Sequence, residues 1–145
     1  MQLSLADKTV LVTGGGSGIG KGVATAAVAA GANVMIVGRN ADRLSAAADE
    51  ITAHTTDGGS VLYEPADVTN EDEVSRVVDA ATAWTGRLHG VVHCAGGSET
   101  IGPVTQIDSE LWRRTVDLNI NGTMYVLKHA AREMVRGGGG SFIGI

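Results

Sequence analysis

Apolar positions in this chain fall into two alternating kinds of segment. Five short runs rich in β-branched residues, at 9–13, 33–37, 60–64, 90–94 and 141–145, read as strands. Longer stretches with helical spacing lie between them. The first, 18–30, is alanine-rich and stops at Gly31, the residue type expected just past a helix C-terminus. The second covers 41–54 with Asn40 as N-cap. In the third, 71–84, Asn70 and Glu73 have capping-box spacing and Gly86 closes the helix. The fourth, 108–136, is long for a globular helix, and 119–123 interrupt its helix-favouring composition, which predicts a bend. Strands alternating with helices predict an α/β domain whose parallel sheet is wound on both faces by right-handed crossovers.

The chain's 145 residues suffice for one domain with a sizeable core, with no internal repeat and no interdomain linker. Sixteen acidic and eleven basic side chains give a net charge of −5. The resulting pI near 5.2 is far from the basic balance of a nucleic-acid-binding domain. No basic run suggests an anionic lipid surface. The longest uncharged stretch, 22–38, is divided by Gly31 and Asn33 and is shorter than a membrane span of roughly 20 apolar residues, so no membrane partner is expected. Asp7 and Lys8 ahead of a short apolar run do not make a secretory signal. A single cysteine, Cys94, excludes an internal disulfide, which fits a reducing cytoplasm. Glycine stands out at 21 residues, about twice its usual share of roughly 7%. In a chain that is 43% hydrophobic, this excess marks special backbone positions rather than disorder. The run 137–140 reads as a plain helix-to-strand turn.

Directly after the first strand comes the segment 13–20, Thr-Gly-Gly-Gly-Ser-Gly-Ile-Gly, and then a helix. Strand, glycine turn and helix form the context of a phosphate site. The helix N-terminus offers unpaired N–H groups and about half a positive charge, and glycines let a pyrophosphate reach the backbone. The spacing G-x-G-x-x-G fails, because Gly14 and Gly16 would need a third glycine at Ile19. A P-loop comes close through Gly15, Gly20 and Lys21 but fails at Gly22, where a hydroxyl should meet magnesium. The spacing that fits is T-G-x-x-x-G-x-G.

That motif resembles the TGxxxGIG signature of the short-chain dehydrogenase/reductase family, and later landmarks follow in the family's order along the whole chain. The resemblance implies a Rossmann-like sheet with strand order 3-2-1-4-5. It implies pyrophosphate and ribose contact at Gly14, Gly16, Ser17, Gly18, Ile19 and Gly20. Asp67 and Val68 match the family's adenine-contacting pair; Asp67 also reads as an aspartate at the start of the next helix. The family's Asn-Asn-Ala-Gly becomes His93-Cys94-Ala95-Gly96, so Ala95 and Gly96 keep the ribose-side role while His93 and Cys94 read as strand-end packing.

Cofactor choice follows from the second strand, which ends Val37-Gly38-Arg39-Asn40. An acidic residue there favours NAD through the ribose 2′-hydroxyl, and an arginine accommodates the 2′-phosphate of NADP. NADP is therefore expected over NAD, with Arg39 as the phosphate ligand; the other reading pairs Arg39 with Asp42. No further cysteine or regularly spaced histidine completes a metal site.

By the same resemblance, the segment 117–122, Asp-Leu-Asn-Ile-Asn-Gly, puts Asn119 at the catalytic asparagine position, with Asn121 as the competing register and a plain helix kink as the bland alternative. The family's serine and Tyr-x-x-x-Lys do not occur. Tyr125 is followed by Lys128 at three residues, and His129 stands at the fourth. The resemblance thus covers an N-terminal half, with 1–145 an NAD(P)-binding domain incomplete at its C-terminus. The implied activity is NADP-dependent oxidation or reduction of a small carbonyl, alcohol or enoyl-thioester substrate, carried out as a homodimer or homotetramer by a full-length form. The competing reading is a truncated, non-catalytic nucleotide-binding fragment. The loop 97–103 points weakly to acyl-thioester substrates. An unpaired edge at Phe142, Ile143 and Ile145 and uncovered helix faces are expected.

Overall fold

A computed structural model describes residues 4–55 and 58–145. Five strands, β1 (Thr9–Thr13), β2 (Asn33–Gly38), β3 (Ser60–Pro65), β4 (Gly90–His93) and β5 (Ser141–Gly144), form one parallel sheet in the order β3-β2-β1-β4-β5. The connecting helices are α1 (Gly18–Ala29), α2 (Ala41–Ala53), α3 (Glu71–Thr85), α4 (Ser109–Val116) and α5 (Gly122–Arg136). A 3-10 turn at Val104–Gln106 precedes α4, and a π turn at Asp117–Asn121 joins α4 to α5. The doubly wound Rossmann-like sheet expected from the sequence is present, strand order included.

β1 is the central strand, buried along its whole length, which is why its sequence is continuously apolar or threonine rather than alternating. Its side chains still separate by strand period. Val10 and Val12 pack among Ala24, Val28, Leu44 and Ile51 on the α1/α2 face. Leu11 packs among Val74, Val78, Val126 and Ala130 on the α3/α5 face. Two cores thus clamp one sheet, and the ends of β1 are held in place from both sides.

The caps fix where the helices start. Asn40 Oδ1 accepts the Arg43 N–H at 2.9 Å, and Asn70 Oδ1 accepts the N–H groups of Asp72 and Glu73 at 3.1 and 3.3 Å. The capping box at Asn70 is only half made. Glu73 reaches further back, and its Oε2 accepts the Asp67 N–H at 2.8 Å. Gly86 ends α3 in the left-handed region, as expected.

The long fourth helix is two helices, and the interruption begins at Asp117 rather than Asn119. Side-chain bonding sets its position: Asn121 Nδ2 donates to Asp117 Oδ1 at 2.8 Å, and Asn119 Nδ2 donates to the Thr115 carbonyl at 2.8 Å. These bonds bracket the wide turn. β4 ends at His93, one residue early, because the chain there leaves the sheet for the cleft described below. On β5 Phe142 is half-buried and Ile143 exposed, Ile145 just after it is exposed, and α5 exposes Met124, Leu127 and Val135. No helix among the described residues is long and apolar enough to cross a membrane.

Candidate functional site

Strand order reverses between β1 and β4, and open α/β sheets bind ligands at such a switch point, beyond the carboxyl ends of the strands. A cleft of about 730 Å³ lies there.

One wall is the glycine turn, with Gly14, Gly16, Ser17, Ile19 and Gly20 lining the cleft. Gly14 has φ +64, and a Cβ on it would come within 2.9 Å of the Cys94 carbonyl carbon. A Cβ on Gly20 would lie 2.2 Å from the Gly14 carbonyl oxygen. Glycine is therefore what lets the turn fold back onto α1 and against the end of β4. Gly18 opens α1 behind this wall and is not itself in the lining. Ser17, the N-cap, is extended and makes no side-chain cap bond, and the first turn of α1 carries no acidic residue. The positive end of α1 thus faces the cleft uncompensated, a cradle suited to a pyrophosphate. Lys21 does not line it; its ammonium pairs with Glu50 at 2.5 Å, so the P-loop reading finds no lysine for phosphate.

The wall at the tip of β2 carries Arg39, Asn40 and Arg43. Neither guanidinium makes a hydrogen bond or ion pair with protein among the described residues, so the Arg39–Asp42 pairing does not form. The stem of Arg43 lies over the glycine turn, with Cγ 3.4 Å from where a Cβ on Gly16 would stand. Sequence reading missed Arg43. Its available signal was its place in the first turn of α2, four residues after Arg39 and next to the Asn40 cap.

Opposite stand Asp67 and Val68. Asp67 Oδ1 accepts the Thr69 N–H at 2.9 Å and the Thr69 hydroxyl at 2.8 Å, while its own N–H is held by Glu73. Asn70 caps α3, so Asp67 is not the cap, and its second carboxylate oxygen has no protein partner among the described residues. Val68 is buried against the start of α5, where a Cβ on Gly122 would come within 2.9 Å of Val68 Cγ2.

The floor is Cys94, Ala95 and Gly96, with Gly97 and Asn119 just outside the lining. The Cys94 N–H donates to the Thr13 carbonyl at 3.2 Å, and the Ala95 N–H to Thr13 Oγ1 at 3.2 Å. Asn119 closes the floor from the other side. Its Oδ1 accepts the Gly97 N–H at 3.1 Å, and its Nδ2 donates to the Gly97 carbonyl at 2.5 Å. Gly96 fits beneath, where a Cβ would meet Asn119 Oδ1 at 2.8 Å. Asn121 is spent on Asp117, so of the two registers it is Asn119 that meets the floor. Burial pushes the Cys94 thiol up, which keeps it a neutral lining group. His93 lies beneath the floor, almost wholly buried.

Tyr125 packs half-buried against the α3/α5 core. Lys128 and His129 both turn to Glu71, at 2.6 and 2.9 Å. Their hydrogen bonds, that of Lys128 first, hold the Glu71 carboxyl below its usual range. No tyrosine–lysine pair forms here. Among the described residues no group of three or more His, Cys, Asp or Glu side chains gathers as a metal site.

A glycine cradle at a helix N-terminus, on a sheet of this order, defines a dinucleotide-binding fold. Residues 8–145 match the short chain dehydrogenase family, and the chain belongs to it. It is 34% identical over 140 residues to 3beta-hydroxysteroid dehydrogenase 2 of Eggerthella lenta, covering 96% of this chain and 53% of that protein. A short-chain type dehydrogenase/reductase from Mycobacterium ulcerans superposes with TM-score 0.96 at 75% identity, over 98% of this chain and 52% of that one. NAD+-bound xylitol dehydrogenase superposes with TM-score 0.90 at 26% identity, over 96% and 52%. The chain thus spans about half the length of the relatives it matches. The family consists of oxidoreductases that bind NAD or NADP and act on small molecules.

Proposed function

We propose that residues 1–145 are the nucleotide-binding unit of an NADP-dependent oxidoreductase acting on a small carbonyl or alcohol compound or an enoyl thioester. The observation that carries this reading is the pair of unpaired guanidinium groups, Arg39 and Arg43, on the cleft wall at the tip of β2. A dinucleotide fold meets the adenosine ribose there, and two planar, permanently charged forks suit a 2′-phosphate. No carboxylate of that wall lines the cleft to favour the 2′-hydroxyl of NAD.

The remaining assignments follow the walls. The turn holding Gly14, Gly16, Ser17, Gly18, Ile19 and Gly20 takes the pyrophosphate on the amides that begin α1. Asp67 and Val68 take the adenine, and Ala95 and Gly96 leave room for the adenosine ribose. When bound, the nicotinamide exchanges a hydride with the substrate carbon.

Asn119 is the residue we assign to the reacting end. Both of its side-chain N–H protons are committed, to the carbonyls of Gly97 and Thr115, so the side chain serves as a clasp. Its main-chain carbonyl lies in the π turn, where it accepts the Thr123 hydroxyl at 2.7 Å. A carbonyl in such a widened turn is suited to hold a water in the path of a proton.

The exposed Met124 and Leu127 of α5 fit a face covered in a homodimer or homotetramer of the full-length form, and the lone thiol of Cys94 fits the reducing cytoplasm.

Titrating NADPH into the isotope-labelled chain tests the reading. Amide shifts should concentrate at residues 14–20, 39–43, 67–68 and 94–97. Shifts scattered over the surface, or none at millimolar NADPH, would reject it.

A further inference from the structure

His93 holds the one buried side-chain polar atom among the described residues that has no partner. The residue is 3% exposed, and its Nε2 meets no donor or acceptor. An unpaired buried polar atom is costly, so its presence asks for a reason. The other ring nitrogen supplies one. Nδ1 lies 2.8 Å from Oγ1 of Thr13, the last residue of β1 and the register partner of His93 on β4. That same hydroxyl oxygen accepts the Ala95 N–H.

Proton bookkeeping selects the tautomer. Thr13 is 1% exposed, so its single hydroxyl proton needs an acceptor inside the protein, and Nδ1 is the acceptor in reach. The ring proton then sits on Nε2, and one group is left unpaired. The opposite tautomer leaves two unpaired, the Thr13 hydroxyl proton and the Nε2 lone pair. Burial favours the neutral ring in either case, and Phe142 of β5 stacks on it with centroids 6.2 Å apart and planes 24° apart.

The consequence lies two residues on. With its proton directed at Nδ1, the Thr13 hydroxyl turns a lone pair toward the Ala95 amide. Residues 94–97 are then fastened at Ala95 by Thr13 and at Gly97 by Asn119, with Gly96 wedged under the Asn119 carboxamide.

We propose that His93 is a positioning residue: as a neutral acceptor it locks the Thr13 hydroxyl, and through that lock it fixes the floor segment on which Asn119 is clasped. Its effect on turnover rests on the reading of Asn119 given above; the mechanical linkage does not.

Two measurements decide it. In the unmodified chain, nitrogen-15 spectra of the His93 ring should show Nδ1 unprotonated and Nε2 protonated from about pH 8 down to about pH 6; a protonated Nδ1 would overturn the proposal. The His93→Phe variant keeps a stacked, buried ring and removes the acceptor. Its Ala95 and Gly97 amides should exchange at least about tenfold faster, while the β1 and β2 amides keep their rates. Thr13→Val should do the same, and the double variant should be no faster than either single one. Uniform acceleration across the sheet, additive effects, or unchanged Ala95 exchange would each overturn the linkage. Asn119→Ala in the full-length protein tests the other reading separately: unchanged turnover there, together with faster Ala95 exchange in His93→Phe, removes the role of Asn119 and leaves His93 linked to the floor.

Discussion

Asn119 and Gly97 hold one another through two hydrogen bonds, the Gly97 N–H to Asn119 Oδ1 at 3.1 Å and Asn119 Nδ2 to the Gly97 carbonyl at 2.5 Å. The bonds join segments 22 residues apart in sequence, the loop after β4 and the π turn between α4 and α5. A side chain so fully engaged cannot also reach for a ligand. The side chain sets where the main chain of this turn lies, and the proposed role of Asn119 falls to its main-chain carbonyl.

Asn119→Asp should be more damaging than Asn119→Ala. Aspartate keeps an acceptor for the Gly97 N–H but turns an oxygen toward the carbonyls of Gly97 and Thr115, where asparagine donates. In the full-length protein, turnover should fall about a hundredfold for Asn119→Asp, with nucleotide affinity nearly unchanged, the size of a lost proton-transfer contribution. Steady-state kinetics and nucleotide titration on the same samples check this. A change confined to affinity would contradict it.

Gly20, the last residue of the glycine motif, and Gly22, two residues beyond it, should respond oppositely to alanine. At Gly20 the new methyl would stand 2.2 Å from the Gly14 carbonyl oxygen, and the turn must open. Gly20→Ala should cost about 3 kcal/mol and weaken nucleotide binding. A Cβ on Gly22, inside α1, would meet nothing within 4 Å. Gly22→Ala should gain about 0.5–1 kcal/mol. Denaturant melts of both variants are the measurement.

Arg43→Met keeps the stem that covers Gly16 and removes the charge. NADPH affinity should fall about tenfold, equivalent to about 1.4 kcal/mol, with NADH affinity unchanged. Calorimetric titration of both nucleotides reads the difference, and equal losses would assign Arg43 to packing.

Burial alone lowers the pKa of His93 below its usual value near 6.5. The unfolded chain, with an ordinary histidine, takes up the proton first as pH falls. The contribution of this residue to stability is thus fully present above about pH 6.5 and is lost progressively as pH drops toward the folded value. His93→Phe should show a flatter stability profile between about pH 7 and pH 5. His89 shifts the same way, with desolvation first among its causes, and is present in both proteins, so the comparison isolates His93. Parallel profiles would mean that the ring at 93 is not held neutral.

Much of the fold was legible because the inner strands β1 and β2, buried on both faces, are written as continuous apolar runs, and because Asn40, Asn70 and Gly86 mark helix ends through local bonding alone. The glycine turn was legible for a similar reason: its spacing encodes close approaches within a dozen residues. What escaped depends on contacts distant in sequence. The place of Arg43 in the first turn of α2 could be read beside the Asn40 cap, but not that this turn packs over Gly16, a contact 27 residues away in sequence. His93 read as packing, but its bond to Thr13 spans 80 residues and exists only once β1 and β4 pair. The bend in the long helix was foreseen, yet it begins at Asp117, where a carboxylate receives the Asn121 amide, a pairing composition does not reveal.

Selection of NADP by Arg39 and Arg43, whose guanidinium groups have no protein partner among the described residues, is read out by comparing NADPH and NADH binding in the unmodified chain and in Arg39→Asp. NADPH should bind more tightly to the unmodified chain, and the preference should reverse in the variant, whose carboxylate can accept the ribose 2′-hydroxyl and repels a 2′-phosphate. Equal affinity for both nucleotides, unmoved by the substitution, would contradict it.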